Sequence, residues 1–212
     1  MLGRTHFFIG TAAALAVLRP QTVPALVTGA GAAAIGGLIS DIDVGTSQAH
    51  RDADKIITAT VAAAVLTILA EYKLNLGIYR RLTSDSSVLR LLAGTAAFLL
   101  ICAYGKQQPH RSFMHSFAAL ALLTACVDII YPDASAYFAV GFLSHLVLDF
   151  FNRKPEKLFW PWKKGFCLGL CSARGLVNRA LLGCGMVSLA VILVLSAPAG
   201  RLMAKIMRAI YG

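Results

Sequence analysis

Residues 56–70 and 183–197 pass without a single charged side chain. Runs of this kind do not make the periodic apolar stripe of a helix packed on a water-soluble core. They suit the hydrocarbon of a bilayer about 30 Å thick, which a helix of roughly 20 residues crosses. Charged residues make up 14 % of the chain, where a soluble domain carries about 25 %, and the mean hydropathy is +0.70. At that price per crossing, 212 residues hold six or seven spans and little else. A soluble enzyme, a disordered tail and a secreted disulfide scaffold are excluded. The expected fold is an all-α, polytopic membrane helix bundle forming one domain over residues 1–212.

Polar breaks between the runs place the spans at about 6–18, 24–40, 54–72, 88–104, 112–130, 134–151 and 176–196, with a basic amphipathic helix at about 201–211 on the membrane surface. Arg19-Pro20 closes the first span, since proline cannot continue a helix. The second is rich in glycine (Gly29, Gly31, Gly36, Gly37), and small residues let backbones pack closely in lipid, so it is expected at the centre. Arg4 followed by an apolar stretch resembles the start of a signal peptide, but the segment is expected to be retained.

The net charge of +10 is accounted for by basic residues that flank spans and anchor them on anionic headgroups, so no nucleic-acid partner is expected. The five cysteines form no disulfide framework, and the lone Cys167/Cys171 pair lacks the further ligands of a structural zinc site. Alternation of spans gathers the N-terminus and the loops at 41–54, 105–111 and 152–174 on one face. That face holds twelve of the twenty Lys and Arg residues, which by the positive-inside rule makes it cytoplasmic.

All five histidines fall on that same face. His6 opens the first helix. Asp41 and Asp43 close the second, with His50 just beyond. His110 and His115 open the fifth, where Ser112 is the expected N-cap and His115 lies in the first turn. His145 and Asp149, four residues apart, share one side of the sixth. Acids and imidazoles at membrane depth are costly and mark function, and this mixture of nitrogen and oxygen donors suits a divalent metal. Asp41 and Asp43 at a helix C-terminus oppose the helix dipole, and a bound cation reverses that penalty. Two residues of regular helix separate side chains by about 200°, so both reach one centre only if the helix end departs from α geometry. Arg111, lying between two of the histidines, presents a fork suited to phosphate.

The ordered set Ser40-Asp41-Ile42-Asp43, His110-Arg111-x-x-x-His115-Ser116 and Gly141-x-x-Ser144-His145-x-x-x-Asp149, followed by Leu158-Phe159-Trp160-Pro161-Trp162, resembles the YdjM-like family. That family is described as LexA-regulated, membrane-bound, metal-dependent hydrolases and is related to zinc-dependent phospholipase C and P1-type nucleases. The resemblance covers about residues 1–165. Ser40 stands where the family tends to have proline, and Ser112 and Met114 where glycine and threonine are usual. The resemblance implies a bacterial inner-membrane hydrolase acting on a phosphoester of a lipid or lipid-linked substrate. His6, Asp41, Asp43, His115, His145 and Asp149 would be metal ligands, His110 a ligand or acid/base, and Arg111 a phosphate clamp. Two or more ions are expected, zinc first, with manganese or iron as alternatives. The basic, Trp-containing loop 152–174 would steer anionic headgroups inward. A small transporter using the same cluster is the alternative; its ligands would lie near the bilayer midplane on broken helices.

Overall fold

The fold is taken from a computed structural model that describes residues 2–45, 86–172 and 175–211. The span expected at 54–72 and His50 lie outside the described residues. Within them the chain is helical: α1 (Gly3–Leu18), α2 (Val23–Ile39), α3 (Ser86–Lys106), α4 (Phe117–Ile130), α5 (Pro132–Phe150), α6 (Leu176–Leu195) and α7 (Ala197–Tyr211). Short 3-10 turns cover Ser40–Asp43 and Phe113–His115.

The helix ends follow local chemistry. Thr22 caps α2 by accepting from the Ala25 N–H at 3.2 Å, with Pro24 in the first turn, where its missing N–H costs nothing. Arg19 takes a left-handed conformation after α1 and returns its N–H to Leu15, ahead of Pro20. The expected start of the fifth span is corrected. Ser116, not Ser112, is the N-cap of α4, accepting from the Ala119 N–H at 3.2 Å. Arg111 has φ 64° and Ser112 lies outside helical geometry, so the chain turns there and His115 sits in a 3-10 turn ahead of the helix.

As its glycines indicated, α2 is central. A Cβ on Gly36 would stand 2.3 Å from the Phe138 carbonyl oxygen, and one on Gly141 2.2 Å from that of Ala33. Backbone therefore meets backbone where α2 crosses α5, an approach no other residue permits. Helix α1 packs on both, α6 packs on α1, and α4 joins α3 to α5. The apolar core gathers Ile42, Phe113, Met114, Leu123, Phe138 and Phe142.

Three helical segments are long and apolar enough to cross a membrane: Val23–Asp43, Ser87–Lys106 and Leu176–Leu195. The expected six or seven spans are thus not all matched among the described residues. Helices α1 and α4 are apolar but have only 16 and 14 residues; the latter rises about 21 Å, short of the hydrocarbon thickness. Helix α5 has 19 residues but carries Asp133, His145 and Asp149. Leu100, Val194 and Leu195 on α3 and α6 are more than 70 % exposed, an outward face that water would oppose and lipid accepts.

Candidate metal centre

The α2–α5 crossing carries the centre with it. One turn beyond Gly141, His145 is fully buried and its Nδ1 lies 2.8 Å from the Gly37 carbonyl oxygen. A carbonyl only accepts, so Nδ1 carries the hydrogen and Nε2 is left with its lone pair. That Nε2 is 3.4 Å from His115 Nε2 and 3.8 Å from Asp41 Oδ1. The ring of His6 stacks on His145 with centroids 3.8 Å apart.

Asp149, one turn further along α5, is met from three directions. His6 Nε2 is 3.3 Å from Oδ1, His115 Nε2 is 3.9 Å from Oδ2, and an Arg111 Nη2–H donates to Oδ2. The second Arg111 terminal nitrogen donates to the Lys154 carbonyl. Arg111 is buried, and its guanidinium is turned to Asp149 and the loop.

The 3-10 turn at 40–43 is the departure from helix geometry that the two aspartates require. Asp41 faces His115 and His145. Asp43 faces His110, with Nδ1 to Oδ1 at 2.9 Å, and His115, with Nδ1 to Oδ2 at 3.4 Å. The Arg111 backbone N–H also donates to Asp43 Oδ2 at 3.1 Å. His115, set ahead of α4 by the turn at Arg111, is thus the ring both aspartates share.

The structure brings all seven expected His and Asp side chains together in three overlapping ligand groups: His6, His145 and Asp149; Asp41, His115 and His145; and Asp43, His110 and His115. Within each group the donor atoms lie within 4.8 Å of one another. The residues fit a divalent cation on grounds beyond proximity. Nδ1 of His6 is buried without a hydrogen-bond partner among the described residues, and a buried nitrogen left so is costly unless something binds it. His6 Nε2 and His115 Nδ1 meet only the carboxylates of Asp149 and Asp43, at 3.3 and 3.4 Å. A cavity of about 450 Å³ opens onto the cluster, lined in part by Asp41, His110, Arg111, Asp149, Arg153 and Lys154.

Sequence reasoning missed Glu156. It is the one acid in the basic loop 152–174, and that isolation was the available signal. Its side chain is fully buried, and its backbone is pinned by two hydrogen bonds with Phe166, at 3.0 and 2.8 Å. Burial first, then repulsion from Asp149, pushes its carboxyl up to about 8, against an opposing pull from Arg111.

The model of the YdjM inner membrane protein family matches residues 1–210. The chain belongs to that family, and the match extends the resemblance read from the motifs to nearly the whole chain. No curated protein and no solved structure matches it.

Proposed function

We propose that the protein is a metal-dependent hydrolase of the inner membrane that cleaves a phosphoester of a lipid or lipid-linked substrate, with its site on the cytoplasmic face. The observation that carries this reading is the convergence of seven His and Asp side chains from α1, the end of α2, the 110–115 turn and α5 on a cavity whose lining also includes Arg111, Arg153 and Lys154. Donors for a cation and basic side chains in one cavity suit a substrate that carries a phosphate. The cluster lies at helix ends rather than at mid-helix, which favours a pocket reached from water over a translocation site.

The ligand groups at the two extremes, His6/His145/Asp149 and Asp43/His110/His115, share no residue. Two ions can fill them without competition, with Asp41 between. His145 offers one nitrogen only, because its Nδ1 is held by Gly37, so it cannot serve the first and middle groups together. A divalent ion there would ease ionisation of water and offset charge on phosphoryl oxygens. The residues themselves do the remaining work. His110, with 38 % of its side chain exposed, can pass a proton between the cavity and Asp43. Arg111, in the cavity lining, offers positive charge to the phosphate. Loop 152–174 places Trp162 and Lys163 outward, suited to the headgroup layer.

Metal analysis of the purified protein against His145→Ala tests the centre: bound zinc is expected in the first and a marked loss in the second. Equal metal content would end the metal-site reading. Turnover of phospholipid in mixed micelles, abolished by chelation and restored by zinc, tests the chemistry. Tight zinc binding with no cleavage of any phosphoester lipid would leave a metal site and remove the hydrolase.

A further inference from the structure

Glu156 stands beside the proposed centre without belonging to it. Its carboxylate is in none of the three ligand groups, and neither oxygen has a hydrogen-bond partner among the described residues. Arg111 Nε is buried and unpartnered in the same sense. The segment that carries Glu156 wraps around Arg111. The Lys154 carbonyl accepts from Nη1 on one side of Glu156, and on the other the Lys157 N–H donates to the Arg111 carbonyl at 3.0 Å. Glu156 is close enough to feel the charges of both Arg111 and Asp149.

Arg111 now rests on Asp149, which the proposed function makes a metal ligand. A carboxylate oxygen engaged by a guanidinium is a poorer donor to a cation, and a fixed positive charge beside a divalent ion repels it. A bound ion and the Arg111–Asp149 pair therefore compete. An arginine released from that pair needs another carboxylate, because an unpaired buried charge is strongly unfavourable.

We propose that Glu156 is the second dock for Arg111: when a divalent ion takes Asp149, the guanidinium turns its Nε edge to Glu156, which makes Glu156 a positioning residue for metal loading. The Lys154 carbonyl is the pivot. Side-on pairing takes Nε–H and one Nη2–H, and the pivot takes one Nη1–H, which leaves one N–H on each terminal nitrogen for an anionic substrate. This inference rests on the metal-site reading.

Zinc titration of the metal-free, full-length protein in detergent tests it, in four forms: wild type, Glu156→Gln, Arg111→Gln and the double variant. Glu156→Gln is expected to weaken zinc binding by about tenfold, the lower end of what partners behind metal ligands contribute. In the Arg111→Gln background the same substitution is expected to change affinity less than twofold, because no guanidinium remains to be moved. Equal losses in both backgrounds would make Glu156 a structural carboxyl and overturn the proposal, as would undiminished affinity in Glu156→Gln alone. Glu156→Met, run in both backgrounds, decides by the same comparison if the glutamine variant does not fold. Absence of zinc binding by the wild type would remove both this inference and the metal-site reading, whereas wild-type binding with no Glu156 effect removes the inference alone.

Discussion

The last turns of α5 and the loop that follows each bury one carboxylate, and the protein treats the two in opposite ways. Asp149 is surrounded by His6, His115 and Arg111. Glu156, seven residues on, has no hydrogen-bond partner for either oxygen among the described residues. The helix end is positioned by backbone packed on backbone at the α2–α5 crossing, and the loop by its paired hydrogen bonds with Phe166. A rigid crossing can hold several ligands to one geometry, as a metal centre demands. A loop held by backbone hydrogen bonds to Phe166 and Arg111 can place a single charge within reach of that centre and leave it uncommitted.

The largest effect is expected from breaking the crossing itself. Gly141→Leu drives a side chain into the Ala33 carbonyl, which lies 2.2 Å from where its Cβ would stand, and backbone cannot yield as a side chain tip can. Loss of the monodisperse folded protein is expected, read by size-exclusion chromatography in detergent. A folded Gly141→Leu protein that binds zinc normally would mean that the crossing does not position the ligands.

Next in size is Asp149→Asn, which keeps the shape and removes the charge that the surrounding groups face. Zinc affinity is expected to fall about 10- to 100-fold while the fold survives, a larger loss than Glu156→Gln produces. Equal losses from the two substitutions would erase the distinction between ligand and dock. Unchanged affinity in a well-folded Asp149→Asn protein would reduce the His145/Asp149 pair to a stitch between helices.

The contrast also marks how far the sequence could be read. His145 and Asp149 were legible because a helix turns four-residue spacing into a shared side, and Asp41/Asp43 because a C-terminal acid pair is unfavourable without a cation. The central place of α2 was legible in its glycines. The cap of α4 was misplaced by four residues, from Ser112 to Ser116, because a positive φ at Arg111 leaves no trace in residue type. Glu156 escaped for a similar reason. Its flanking lysines and arginine resemble a solvated loop, and only the pairing with Phe166 and the wrap around Arg111 turn it inward. The pairing of Arg111 with Asp149 was likewise invisible, since no periodicity links residues 38 apart.

The smallest expected effect is on stability, and it isolates Glu156 from the metal. In the chelated protein its carboxyl titrates at about 8, raised from 4.5 by burial and by Asp149. Below about 4.5 the group is protonated in folded and unfolded chains alike, and its burial costs nothing in charge. As pH rises from 4.5 to 8, the unfolded chain gives up the proton while the folded chain retains it. Stability therefore falls across that window and levels off above it. Glu156→Gln has no proton to lose, so its melting temperature should match the wild type near pH 4 and exceed it near pH 8.5. Each kcal/mol of that loss is worth about 2–4 °C in a chain of this size. Asp149, fully engaged, offers no such gain on neutralisation, and Asp149→Asn should melt lower than wild type at the upper pH. A Glu156→Gln advantage that is the same at both pH values would mean that the carboxyl is not held protonated in the folded state, and the two buried acids would then differ in their partners but not in their charge.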